Sequence, residues 1–382
     1  MNETIYFIEG DGIGPEVWRV SQAVLDAAVG KAYAGTKTLN WKPLLAGEAA
    51  LQATGELLPD ATLAALKTAR YAIKGPLNTP VGKGFRSLNV TMRQALDLYA
   101  CIRPVRHYHG IVSPVKHPEK VDMVIFRENT EDVYQGIEYQ SGTPEAKKLI
   151  AFLHDEMGVE LDAAAGVGIK PMTARRTKRL VKKAMEYALQ SGRPSVTIMH
   201  KGNIMKYTEG AFRGWAYEAA EEYFKGQFCR EGETATAETL VIKDRIADAM
   251  FQEALLHPEN YSVIASPNLN GDYISDALAA QVGGLGMAPG VNKSDTLSFY
   301  EATHGTAPTI AGKDMANPCS MLLSGTMMLE EMGLVEAATL VRHSIDKAFL
   351  DRTVTIDLAS QMDSATAVGC SRFGEILLQG LE

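Results

Sequence analysis

The sequence predicts an α/β fold. Apolar runs of strand length alternate with stretches of helical period. Several of the strands stop where a polar loop begins, the position at which such folds place ligands. Of 382 residues, 46 % are apolar, enough core for two or three domains at roughly 150 residues each.

Taken in order, Thr4 to Ile8 reads as a buried strand. It enters the turn Gly10-Asp-Gly-Ile-Gly14 and then a helix from Pro15 to about Val29. Pro15 suits a first helical turn, and Val17, Val20, Val24 and Ala28 share one face. A second helix is expected from Pro59 to Arg70, with Pro59 at its first position, followed by a strand over Tyr71 to Ile73. Val121 to Phe126 is a strand ending at Arg127. Arg175 to Gln190 is a basic amphipathic helix leading to a strand over Ser195 to Met199. Tyr261 to Ala265 is a strand that ends in the polar run Pro-Asn-Leu-Asn-Gly-Asp. Residues 141–168 and 226–240 lack a clear period and read as loops or a dimer arm.

Composition narrows the function. Thirty-eight basic against 46 acidic residues give a net charge of −8, which argues against a nucleic-acid partner but leaves an anionic small substrate open. Four cysteines without a CxxC pair make neither a disulfide framework nor a zinc knot, so a reducing, cytoplasmic setting is expected. The N-terminus has no basic segment before an apolar run, so no signal peptide is expected. The longest apolar run, Ala277 to Gly290, is broken by Gln281, four glycines and Pro289, so no membrane partner is expected.

Five groups of residues bear on chemistry. The Gly10–Gly14 turn has Pro15 where a dinucleotide fingerprint places its third glycine, so it reads as a tight strand-to-helix turn. Arg93, Arg103 and Arg127, with Ser87 and Asn89 nearby, form either a clamp for a di- or tricarboxylate or separate surface ion pairs. Asp244 with Asp248, and Asp272 with Asp276, stand four residues apart; each pair is either a site for Mg²⁺ or Mn²⁺ or a solvated helix start. Lys201 at a strand end is either an acid–base group or a surface lysine. The loop Glu301-Ala-Thr-His304-Gly-Thr-Ala-Pro308 either lies against a nucleotide or carries a structural histidine.

Together these segments resemble the β-decarboxylating dehydrogenases, the isocitrate/isopropylmalate dehydrogenase family. GDGIGPE, GPLNTPVG, RSLNVTMR, IRPVR, FRENTEDVYQGIE, HKGNIMKYTEGAF, NLNGDYISDALAAQVGG and EATHGTAPTIAGKDMANP occur in family order across the whole chain. Within the family the likeness is to bacterial homodimeric isocitrate dehydrogenases, because Ser87 and Asn89 stand where isopropylmalate enzymes carry apolar residues. Homoisocitrate, isopropylmalate and tartrate dehydrogenases are the sister readings, and a non-catalytic regulatory subunit is the reading from another class.

The resemblance implies a family fold that is not Rossmann. A large domain spans 1–98 and 283–382, a small domain 99–131 and 174–282, and a clasp 132–173 interlocks a homodimer with shared active sites. It implies that Arg93, Arg103 and Arg127 clamp isocitrate, with Ser87 and Asn89 on the distal carboxylate. Tyr134 is the implied proton donor, and Lys201 and Asp248 reach in from the second subunit. Asp248, Asp272 and Asp276 are the implied ligands of Mg²⁺ or Mn²⁺. Asn78 and Thr79 fall near the nicotinamide; His304, Gly305, Thr306, Ala307 and Asn317 fall near the adenosine half. Three arginines match the three charges of isocitrate. Relatives that use NADP hold its extra phosphate with a Lys-Tyr pair and a later Tyr and Arg. Here those positions read Thr309, Ile310, Ile356 and Ser360. NAD is therefore expected over NADP, with NADP used weakly and Lys313 and Arg352 as substitute phosphate partners.

Overall fold

The computed structural model of the chain describes residues 3–78, 87–234, 236 and 239–381. The chain begins β1 (Thr4–Ile8), α1 (Gly14–Ala32), β2 (Asn40–Pro43), α2 (Glu48–Thr54), α3 (Asp60–Thr68), β3 (Tyr71–Lys74) and α4 (Leu88–Ala95). It continues through β4 (Ala100–Arg106), β5 (Asp122–Glu128), β6 (Glu138–Tyr139), α5 (Pro144–Met157), β7 (Val167–Gly168), α6 (Ala174–Gln190) and β8 (Ser195–His200). Next come α7 (Glu209–Tyr223), β9 (Phe228–Arg230), β10 (Leu240–Ile246), α8 (Ala247–Leu256), β11 (Val263–Ser266), α9 (Asn268–Ala280), β12 (Pro289–Lys293) and β13 (Ser298–Ala302). The last elements are α10 (Cys319–Glu331), α11 (Val335–Leu350), β14 (Thr353–Thr355), α12 (Ile356–Ala359), β15 (Thr366–Val368) and α13 (Cys370–Gly380).

Eleven strands form one sheet in the order β2-β1-β3-β13-β12-β4-β5-β11-β8-β10-β9. β2, β1, β3 and β13 are parallel, as are β5, β11, β8, β10 and β9. Antiparallel pairing of β12 with β13 and β4, and of β4 with β5, joins the two runs. Strand direction reverses along this seam, unlike the all-parallel order of a Rossmann sheet. Both chain ends meet where α1 packs on α10, α11 and α13 around Val24, Leu25, Phe349 and Phe373. A second cluster, with Ile125, Met250, Ile274 and Leu278, lies under the middle of the chain.

Local sequence explains several boundaries. Pro59 caps α3 from outside and the helix stops at Thr68, short of the expected Arg70. The run after Ser266 is not a loop: α9 starts at Asn268, directly after Pro267. Residues 144–157, expected as loop or arm, form α5, whose cap Thr143 accepts a hydrogen bond from Ala146 N at 3.3 Å. Its Phe152 and Met157 are exposed, which is why no buried apolar period was visible there.

Candidate functional site

A cleft of about 280 Å³ opens over the seam of the sheet. β3 supplies Lys74, α4 Arg93, β4 Arg103, β5 Arg127 and β13 Glu301. Ser87, the cap of α4, and Asn89 in its first turn also line it, with Tyr134, Asp272, His304 and Gly305. The Arg grouping of the sequence is therefore a convergent site and not a set of surface pairs.

Register sets its floor. Glu301 pairs with Lys74 across β13 and β3. Lys74 Nζ lies 2.8 Å from Glu301 Oε2, and Arg93 Nη2 lies 2.9 Å from Oε1. Burial raises the Glu301 pKa, but the two cations override it and hold the carboxyl far below its usual range. This triad escaped the sequence reading, although YAIK and SFYE each end an apolar strand on a charge. It also changes the earlier charge count, because Arg93 is partly matched before any substrate arrives.

Arg103 donates to Ser275 Oγ at 2.6 Å and to Asp276 Oδ1 at 3.3 Å. Arg127 Nε donates to the Asn268 backbone and side-chain oxygens at 2.9 and 3.0 Å, and its Nη1 to Asp272. Tyr134 lies with its ring centroid 4.9 Å from that guanidinium and donates its hydroxyl to the other Asp272 oxygen. Burial and then the Asp272 hydrogen bond push the Tyr134 hydroxyl up to about 12, so it is protonated at neutral pH. Burial raises Asp272, but the Arg127 charge, the Tyr134 hydroxyl and Arg103 bring it below its ordinary value; burial leaves Asp276 raised.

Among the described residues, Asn89 Oδ1, Arg93 Nε, Arg103 Nε, Arg127 Nη2 and His304 Nε2 are buried without a hydrogen-bond partner. Such atoms are rare in folded proteins, and their concentration in one cleft marks where a polar ligand completes the site. A larger cavity of about 370 Å³ is lined by Arg193, Lys293 and Arg342. These are already paired with Asp122, Glu331 and Glu330 at 2.7, 2.6 and 2.8 Å. None of its lining atoms appears among the unpartnered ones.

Lys201 ion-pairs with Asp248 at the C-terminal end of β8 and the start of α8. Neither lines the cleft of its own chain. Among the described residues no three His, Cys, Asp or Glu side chains of one chain come together to hold a metal. Asp272, which lines the cleft, and Asp276, one turn on along α9 and paired with Arg103, supply two hard oxygen donors, a set suited to Mg²⁺ or Mn²⁺ if completed from outside the chain. Asp244, the other carboxylate considered, is occupied by His200, Arg213 and Tyr217 at 3.1, 2.9 and 2.7 Å.

The nucleotide-side residues form a rim. Thr79 lies outside the described residues. Asn78 donates its backbone N–H to Asp11 Oδ2 at 2.7 Å and its side chain to Glu48 at 3.1 Å. Asp11, another residue not singled out from sequence, ties that loop to the first turn. Ile13 N bonds Thr306 O at 3.0 Å, and a Cβ on Gly12 would lie 2.1 Å from the same oxygen. The glycine turn therefore seats the 303–308 loop, where Ala307 takes φ +40°. Packing pushes the His304 pKa down, so the ring is neutral at neutral pH. Asn317 donates to Asp357 Oδ2 at 3.0 Å, and Thr355 donates to Oδ1 at 2.6 Å. Thr309 is exposed and Ile310 half-buried.

Residues 4–377 match the isocitrate/isopropylmalate dehydrogenase family. Proteins named isocitrate dehydrogenase (NADP) from Helicobacter pylori J99 and Pseudomonas aeruginosa UCBPP-PA14 are each 52 % identical, over 99 % of this chain and 93 % of theirs. One of the same name from Coxiella burnetii is 54 % identical, over 98 % of this chain and 90 % of its own. The crystal structure of isocitrate dehydrogenase from Methylococcus capsulatus superposes with a TM-score of 0.82 at 34 % identity, covering 99 % of both chains.

These names overturn the expectation that NAD is favoured. That expectation rested on four missing phosphate partners. No carboxylate stands at Thr309, Ile310, Ile356 or Ser360 to repel a phosphate, and both oxygens of nearby Asp357 are occupied. Lys313 is exposed one turn beyond Ile310, its N–H on Ile310 O at 3.1 Å, and has no ion pair among the described residues. Arg352, the other substitute considered, donates to Asp363 O at 2.7 Å. Over almost its entire length, the chain belongs to the isocitrate/isopropylmalate dehydrogenase family.

Proposed function

We propose that the chain catalyses oxidative decarboxylation of isocitrate to 2-oxoglutarate and CO₂ with reduction of NADP. The observation that carries this is the convergence of unpartnered Arg93, Arg103 and Arg127 nitrogens with Asn89 in one cleft. Guanidinium forks bind carboxylates in pairs of hydrogen bonds, and a hydroxyl and an amide on α4 suit a third carboxylate better than an alkyl group. Charge agrees. Lys74 and three arginines face Glu301, Asp272 and Asp276, which leaves one positive charge; a divalent metal raises it to three, the charge a tricarboxylate neutralises.

In this reading Asp272 and Asp276 hold the metal together with Asp248 of the partner subunit. A metal there would polarise the substrate hydroxyl and stabilise the enolate after CO₂ leaves. Lys201 of the partner subunit takes the hydroxyl proton, assisted by its Asp248 pair. Tyr134, protonated at neutral pH and fixed by Asp272, delivers the proton that replaces CO₂. The 303–308 loop and Asn317 support the adenosine side of NADP, Asn78 and Thr79 the nicotinamide side, and Lys313 its extra phosphate.

A homodimer is part of the proposal. The Lys201–Asp248 pair lies off its own cleft, and the same region exposes Ile204 and Tyr207 at 70 % and 92 %. Residues 132–173 serve as the clasp, and the large lobe (1–98 and 283–382) meets the small lobe (99–131 and 174–282) where β12 pairs with β4. No helix among the described residues is long and apolar enough to cross a membrane, and the proposal places the enzyme in the cytoplasm.

Initial rates with isocitrate, isopropylmalate, homoisocitrate and tartrate, each with NADP and with NAD and Mg²⁺, test the proposal. Isocitrate with NADP should give the highest kcat/KM; a higher value for any sister acid would replace the substrate assignment.

A further inference from the structure

Glu209, the first residue of α7, is fully buried and meets partners from three other parts of the chain. Its Oε2 accepts the backbone N–H of Lys201 at 2.5 Å and the side-chain amide of Asn270 at 2.8 Å. Lys170 Nζ lies 3.0 Å from its Oε1. This is a charge contact without hydrogen-bond alignment, since that oxygen has no hydrogen-bond partner.

Lys170 also binds Asp132, which is fully buried at φ +72°. Asp132 builds the turn that carries Tyr134. Its Oδ1 accepts Val133 N–H at 2.7 Å, its Oδ2 accepts Leu269 N–H at 3.0 Å, and its own N–H reaches Pro171 O at 3.0 Å. One unbroken path therefore runs from the Tyr134 turn through Asp132, Lys170 and Glu209 to the backbone of Lys201. A branch through Asn270 reaches α9 two residues before Asp272.

None of these three residues lines the cleft. Two buried carboxylates sharing one ammonium are costly to desolvate, and loss of the ammonium leaves both of them unmatched. We propose that Glu209, Lys170 and Asp132 are positioning residues that hold Tyr134 and Lys201 in fixed relation. Resting on the reading above, in which those two groups of one chain serve different active sites of the dimer, the network couples the geometry of both sites.

Steady-state kinetics on the full-length dimer tests this. Glu209→Ala removes the Lys201 cap and the Lys170 contact, whereas Glu209→Gln keeps an acceptor oxygen for the Lys201 N–H. Glu209→Ala should lower kcat about tenfold to a hundredfold while the isocitrate KM stays within about twofold, and Glu209→Gln should recover most of the loss. An isolated dimer of one wild-type and one Glu209→Ala chain should retain well under half of wild-type kcat, because the altered chain disturbs Lys201 of one site and Tyr134 of the other. A hybrid with half or more of wild-type kcat overturns the coupling. Unchanged kcat in Glu209→Ala overturns the positioning role. If Glu209→Ala does not fold, Lys170→Gln carries the comparison, since its side chain is 16 % exposed at the network's edge. The same kcat-only loss and the same hybrid deficit are expected, and wild-type kcat overturns the proposal. Failure of the shared-site reading would show separately, as absent complementation between Lys201→Met and Tyr134→Phe chains.

Discussion

Tyr134 shows how much of a residue's chemistry is set by its neighbours. Burial and the hydrogen bond to Asp272 outweigh the opposing charge of Arg127 beside its ring, so its hydroxyl stays protonated until about pH 12. Tyr134→Phe removes the donor and leaves the ring contact. It should lower kcat by about a hundredfold or more with little change in isocitrate KM, as initial rates would show. Glu131 gives a stability test away from the chemistry. Burial and then the charge of Glu128 push its pKa up to about 7. A raised folded-state pKa means that the folded protein binds this proton more tightly than the unfolded chain. Its contribution is complete below the ordinary value of 4.5 and fades as pH rises through about 7. Thermal midpoints should therefore fall between pH 5 and 8 in the parent by more than in Glu131→Gln, measured by calorimetry across that range. Equal slopes would remove Glu131 from the account.

Elements decide which of these residues meet. Gly12 at φ +60° lets the β1–α1 turn seat the 303–308 loop, and a side chain there would collide with Thr306 O. Gly12→Ala should raise the KM for NADP more than that for isocitrate; equal changes would detach the turn from the cofactor side. The sequence disclosed this turn, but its glycines resemble a nucleotide fingerprint, and only the packing shows what they accommodate. Arg103 and Arg127 were legible because each is a charge set in an apolar strand. Lys74 and Glu301 were not paired in advance, since 226 residues separate them and only the β3–β13 register joins them. Likewise α5 was hidden because its apolar residues are spread between a half-buried side and the exposed Phe152 and Met157, and the start of α9 because Asn, Gly and Asp are loop formers. The cofactor preference was misread because lost phosphate contacts at four positions were counted against NADP, although Thr309 repels no phosphate and Lys313 stands exposed nearby.

At the scale of the molecule, the reversed seam of the eleven-stranded sheet, with α4 and α9 beside it, brings four cations, Glu301 and Asp272 to one cleft with Asp276 at its side, while Lys201 and Asp248 stand outside it. On the proposed reading a complete site requires two chains, with Tyr134 provided by a cleft's own chain and Lys201 by the partner, and this central claim can be tested without a ligand-bound structure. Lys201→Met and Tyr134→Phe chains, each inactive as a homodimer, are mixed under conditions of proven subunit exchange, and isocitrate-dependent NADPH formation is measured. Half of the dimers in an equal mixture are hybrids, and each hybrid has one site with both groups intact. Activity should therefore return to about a quarter of the wild-type value. No recovery after exchange would contradict the shared cleft, and with it the assignment of Lys201 and Asp248.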